Sequence, residues 1–118
     1  MLGEKLLNMN KLKIERGDII LLNFSPAVGH EQKGYRPAVV VSHALHNEKT
    51  GLVLVCPISS KQKGYPFEVL FTGKNIRGVV LSNQVKTIDI NARRIKKVDQ
   101  VSSDVVTEVI RKLKLVIS

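Results

Sequence analysis

The chain has 118 residues, with 19 Lys and Arg against 10 Asp and Glu, a formal net charge of +9. That length sets one domain with one hydrophobic core, large enough to need no disulfides. Hydrophobic residues at 43% and a mean hydropathy near zero exclude a disordered chain, and apolar stretches as short as 52–56 exclude a membrane-spanning helix, which takes ~20 residues.

Residues 1–15 read as an N-terminal leader, polar and basic with a thin apolar thread. Glu4, Lys5, Asn8, Asn10, Lys11 and Lys13 interrupt it too often for a secretory signal. A single domain is expected over 16–118. Residues 19–24 are apolar on both faces and rich in Ile, which predicts a buried strand ended by Ser25-Pro26. Residues 27–35 form a polar loop containing Gly29-His30-Glu31-Gln32-Lys33-Gly34. Arg36 is held extended by Pro37, and Val39-Val40-Val41 continues a second strand. A connector containing His46-Asn47-Glu48-Lys49-Thr50-Gly51 leads to a third strand over 52–58.

A second polar loop, Ser59-Ser60-Lys61-Gln62-Lys63-Gly64, follows the third strand. Tyr65-Pro66 opens a fourth strand in which Phe67, Val69 and Phe71 face inward and alternate with Glu68, Leu70 and Thr72. Further strands are expected over 78–81 and 84–90, with a basic edge strand over 94–98. The period then changes. Val105, Val109, Leu113 and Val116, flanked by Val106, Ile110 and Ile117, make one apolar stripe on a helix over 103–116 that Ser102 or Ser103 caps. Many short strands and one terminal helix predict a mainly β fold: a small, curled antiparallel sheet closed by that helix.

Cys56, the single cysteine, lies in an apolar run and reads as a small buried hydrophobe in a protein of a reducing cytosol. His43 and His46 have no second ligand pair or Cys cluster to complete a metal site, so a strand end and a loop explain them, and no metal is expected. No Gly-x-Ser-x-Gly elbow and no Gly-rich phosphate loop occurs.

The two polar loops hold what remains. One carries His30, Glu31, Gln32 and Arg36; the other carries Ser59, Ser60, Lys61 and Lys63. Solvated loops with hinge glycines would account for them structurally. Chemically, the set also supplies what RNA cleavage by internal transfer needs. The ribose 2′-hydroxyl is the nucleophile, so the protein provides only a base, a cation for the charge developing on phosphorus, and orienting hydrogen bonds. Glu31 can be the base, Arg36 the bidentate phosphate clamp, and Ser59 a hydroxyl donor. No cofactor is required.

Arg16-Gly17-Asp18-Ile19 followed by Gly29-His30-Glu31-Gln32-Lys33-Gly34-Tyr35-Arg36-Pro37-Ala38 resembles the opening signature of the MazF/PemK (ChpB-like) toxins. Three further blocks match in order: Lys49-Thr50-Gly51; Pro57-Ile58-Ser59-Ser60-Lys61 with Lys63-Gly64-Tyr65-Pro66-Phe67-Glu68-Val69; and Gly78-Val79-Val80-Leu81 with Asn83-Gln84-Val85-Lys86. The match runs from about residue 15 to the end.

The resemblance implies an SH3-like barrel and a homodimer. It also implies metal-independent, sequence-specific cleavage of single-stranded RNA, leaving a cyclic phosphate and a 5′-hydroxyl, and inhibition by an acidic MazE-like antitoxin. It places the family's catalytic Arg on Arg36, its loop Glu on Glu31, and its Thr or Ser on Ser59. Two departures stand out. Ser59 replaces the usual Thr and leaves Ser60 as a rival hydroxyl, and Asn83-Gln84 replaces the frequent Asp-Gln, removing a carboxylate near the groove.

RNA contacts are expected from His30, Gln32, Lys33, Tyr35, Ser60, Lys61, Lys63, Tyr65, Gln84 and Lys86. The tyrosines can stack on unpaired bases and the lysines can neutralise phosphates. Arg93-Arg94-Ile95-Lys96-Lys97 reads equally as part of that groove or as a charged edge that resists aggregation. Two rivals remain: a gyrase-targeting toxin on the same barrel, and a non-catalytic RNA-binding barrel. Neither needs Glu31 as a base beside Arg36.

Overall fold

The computed structural model describes residues 13–23 and 35–118. Most of the leader lies outside the described residues, as do Phe24, Ser25-Pro26 and the loop bearing His30, Glu31, Gln32 and Lys33.

Among the described residues, seven strands and two helices follow in order: β1 (Asp18–Asn23), β2 (Tyr35–Val40), α1 (Ala44–Thr50), β3 (Leu52–Ser59), β4 (Glu68–Thr72), β5 (Arg77–Leu81), β6 (Lys86–Asp89), β7 (Ile95–Gln100) and α2 (Ser103–Ile117). The strands form one antiparallel sheet in the order β4-β5-β3-β2-β1-β7, with β6 added to the first half of β3. β3 is the hinge of this arrangement. Its N-terminal half pairs with β6 and its last residues, Ile58 and Ser59, pair with β5, so the sheet curls and encloses apolar side chains on both faces.

Strand alternation sends those side chains into two cores. One face gathers Ile20, Leu22, Ala38, Val40, Val53, Val55 and Ile88. The other gathers Ile19, Val39, Cys56, Val69, Phe71 and Val80 under α2, which contributes Val109. The mainly β expectation and the terminal helix therefore hold. Ser102 is the N-cap of α2, its Oγ accepting from the Val105 N–H at 3.3 Å, and Val106 and Val109 are the buried part of the stripe.

Three expectations are corrected. The connector before β3 contains a helix of 7 residues, α1, whose cap is His43: its Nδ1 accepts from the Leu45 N–H at 3.0 Å. His43 thus ends no strand, and His46 lies on a helix and not in a loop. Asn47 of α1 is buried, donating to the carbonyls of Ile14 (3.0 Å) and Ser42 (3.2 Å) and bonding the Ser42 hydroxyl. The fourth strand begins at Glu68, leaving Tyr65, Pro66 and Phe67 outside it, and Glu68 is buried although alternation predicted it outward. The sixth strand is limited to Lys86–Asp89, so Gln84 lies in the preceding turn with its N–H on the Leu81 carbonyl.

Candidate active site

Arg36 sits near the open end of β2, opposite Leu22 of β1. Its side chain is exposed and makes no hydrogen bond or ion pair among the described residues. Pro37 explains why this backbone is extended, and alternation puts Arg36 on the face of Ala38 and Val40.

The β2–β3 ladder pairs Val40 with Val55, Val39 with Cys56 and Ala38 with Pro57. The ladder ends there, and two residues beyond its last pair alternation puts Arg36 of β2 and Ser59 of β3 on the Ala38–Pro57 face. Ser59 is the last residue of β3 and is held from the other side by β5, through its pairing with Val79. Gly78 makes that approach possible. A Cβ at this position would lie 2.4 Å from the Ser59 carbonyl oxygen. Ser60 lies beyond the strand.

The loop after Ser59 is fixed by two side chains. Ser59 Oγ accepts from the Lys61 N–H at 3.1 Å. The Glu68 carboxylate accepts from the N–H groups of Lys63 (3.1 and 3.2 Å) and Gly64 (2.9 Å). Gly64 has φ +81°, a left-handed conformation that glycine adopts without strain. Glu68 is in turn tied to α2, where Lys112 Nζ donates to the Glu68 carbonyl at 2.9 Å. Nothing in the polar and apolar spacing of β4 marks Glu68 for this role. The signal is its position, four and five residues after two N–H groups that a turn leaves unpaired.

The remaining residues expected at the site fall into separate groups. Lys61, Lys63 and Tyr65 are exposed on the loop that Glu68 anchors, with the Tyr65 ring 5.2 Å from that of Phe67 and tilted by 47°. Lys86 pairs with Val55 on the face of Arg36, but four residues back along β3 from Ser59, about 13 Å away at strand rise. Gln84 is exposed in the turn before it. Tyr35 adjoins Arg36 in sequence but faces the other way, pairing with Asn23 beside a cleft lined by Arg93 and Arg94. Glu31, His30, Gln32 and Lys33 lie outside the described residues.

Chemically, the described part of the site offers an unpartnered guanidinium, a serine hydroxyl on a rigid strand end, and a loop of lysines beside them. That combination suits an anionic, phosphate-bearing ligand. Cys56, in contrast, is buried, and burial pushes its thiol up to about 12, which keeps it protonated and unreactive.

The sequence model of the PemK-like, MazF-like toxins of type II toxin–antitoxin systems matches residues 15–117. The chain belongs to this family. Endoribonuclease toxin MazF of Escherichia coli K12 is 47% identical over 83 residues, 70% of this chain and 75% of that protein. Endoribonuclease toxin ChpB of the same strain is 37% identical over 115 residues, 92% of this chain and 98% of that protein. A MazF from Deinococcus radiodurans, with crystal structures alone and as a MazE–MazF complex, is 40% identical in both. It superimposes with TM-scores of 0.82 and 0.80 over 91% of this chain and 98% and 97% of that one. The curled sheet with its C-terminal helix is therefore the family's fold.

Proposed function

We propose that the chain is an endoribonuclease toxin that cleaves single-stranded RNA at a specific short sequence, without a metal or cofactor. The observation that carries this reading is the Arg36–Ser59 pair. An exposed guanidinium with no partner among the described residues and a hydroxyl at the end of the next strand share one sheet face, in a chain whose relatives are endoribonucleases.

In this mechanism Arg36 grips two nonbridging oxygens of the scissile phosphate, and Ser59 Oγ donates to one of them. In the free protein that Oγ accepts from the Lys61 N–H at 3.1 Å and donates to the Lys61 carbonyl at 3.4 Å, a long bond that the phosphate oxygen replaces. Glu31 takes the proton from the ribose 2′-hydroxyl. The 2′-oxygen then bonds to phosphorus as the bond to the 5′-oxygen breaks and that oxygen takes a proton from water, giving a 2′,3′-cyclic phosphate and a 5′-hydroxyl, while Glu31 returns its proton to solvent. Guanidinium and hydroxyl act mainly on the charge that grows in the transition state.

Lys61, Lys63 and Lys86 hold flanking phosphates, and Tyr65, Ser60, Gln84, His30, Gln32 and Lys33 contact the RNA around them. The protein works as a homodimer in the cytoplasm, inhibited by an acidic MazE-like antitoxin. The net charge of +9 and the MazE–MazF complexes of the D. radiodurans relative support that partner.

Replacing Arg36 tests the assignment. Arg36→Ala is expected to keep the circular dichroism spectrum and melting of the wild type while cleaving RNA at under a tenth of its rate. More than that activity would mean that another cation is the clamp.

A further inference from the structure

Arg36 and Ser59 account for one face of the open sheet end; the other face holds a second cluster. Asn23 pairs with Tyr35 on one side, and on the other Leu22 pairs with Ile95, so the same register sets Arg94 next to Asn23. Arg94, the residue just before β7, thus extends the Asn23–Tyr35 pair of β1 and β2 into a row, about 5 Å per step. Between the two ends of the row lies a cleft of about 520 Å³, within the range of small-ligand pockets. Among the described residues it is lined by Asn23, Tyr35, Ala92, Arg93 and Arg94.

The two arginines have different duties. Arg93 Nη1 donates to the Asn23 carbonyl at 2.6 Å, which pins the β6–β7 turn to the end of β1 and fixes the cleft's width. Arg94 is exposed and has no partner among the described residues. Tyr35 leaves 53% of its surface open. The described lining offers amide, phenol and guanidinium groups, which bind by stacking, hydrogen bonds and charge. An open aromatic face beside free guanidinium suits a planar base with an attached phosphate.

We infer that this cleft is a nucleotide subsite of its own. One unpaired base of the RNA stacks on Tyr35 and the adjoining phosphate rests on Arg94, on the sheet face opposite Arg36. The inference rests on the chain being an RNA-cleaving enzyme. Because Tyr35 and Arg36 have Cα atoms about 3.8 Å apart, RNA folded over the strand end reaches both. The base held here is then a near neighbour of the scissile phosphate and contributes to sequence choice.

The test is fluorescence anisotropy with a labelled, uncleavable 2′-O-methyl RNA of mixed sequence, read across a salt series. Tyr35→Leu is expected to weaken binding by about fivefold or more, and Tyr35→Phe, which keeps the ring, to restore it. Arg94→Gln is expected to weaken binding and to reduce the salt slope by about 0.7. On cleavable RNA, the loss in Tyr35→Leu appears in KM more than in kcat.

Wild-type affinity and slope in both Tyr35→Leu and Arg94→Gln would overturn the inference. So would variants that bind RNA normally but lose affinity for polyglutamate, since the cleft would then be a seat for an acidic peptide. Failure of the wild type to cleave any RNA would refute the enzyme reading instead, and the anisotropy series would still decide whether the cleft binds nucleotides.

Discussion

At the scale of single residues, the proposed site depends on two side chains on neighbouring strands, Arg36 and Ser59. Arg36 is legible in the sequence because Pro37 fixes its backbone and because a lone arginine between polar loops is a natural phosphate clamp. Ser59 is legible as a candidate but not as a choice over Ser60, since only the end of β3 and its register with β5 distinguish them. The register gives a clear expectation. Ser59→Ala should lower kcat by about a hundredfold, the effect of removing one donor to a developing oxyanion, whereas Ser60→Ala should stay within about threefold. Single-turnover cleavage of a defined RNA by the two variants measures the difference, and a larger loss at Ser60 would exchange their roles.

At the scale of elements, loops that look featureless in sequence are held by particular acids. Glu68 shows why alternation misjudged the start of β4. Its carboxylate is buried because it satisfies the Lys63 and Gly64 N–H groups, a demand set by the loop and not by the strand. Glu68→Ala should cost about 1–3 kcal/mol in a denaturant titration and reduce cleavage by loosening the loop that follows Ser59. Unchanged cleavage would mean that the loop's geometry is irrelevant to the reaction. α1 escaped detection for a related reason: it is short, capped by a histidine, and packed through the polar Asn47, so it carries no apolar period.

Asp99 does for the β4–β5 turn what Glu68 does for its loop. Its Oδ2 accepts from the N–H groups of Asn75 (2.7 Å) and Ile76 (3.0 Å), and Oδ1 from that of Gln100 (2.8 Å). Desolvation works to raise its pKa, but the backbone N–H groups of Asn75, Gln100, Ile76 and Lys74 outweigh it, and the carboxyl titrates below its usual range. A carboxylate with a depressed folded pKa stabilises the fold above the unfolded value and loses that effect as pH falls through the folded one. The melting temperature of the wild type should therefore exceed that of Asp99→Ala by its full margin at neutral pH. The margin should shrink below about pH 4. A margin that grew on acidification would reverse the assignment.

For the whole molecule, the structure divides the excess of positive charge by use. Lys97 is spent on the fold, bridging Asp18 at 3.1 Å and donating to the Lys13 carbonyl at 3.0 Å, while Lys112 secures β4. Arg36 and Arg94 remain free among the described residues, on opposite faces of one sheet end. The strands and the closing helix follow from period and β-branched runs, but the order of the strands does not. Nor does the pairing of far-apart residues across strands, because register is a tertiary property.

The central claim is RNA cleavage by internal transfer, and the most direct test is to incubate the purified protein with mixed single-stranded RNA in EDTA and read the fragment ends by mass spectrometry. The expected result is 2′,3′-cyclic phosphate and 5′-hydroxyl ends at a recurring short sequence. Intact RNA, or cleavage that ceases when the chelator is added, would contradict it.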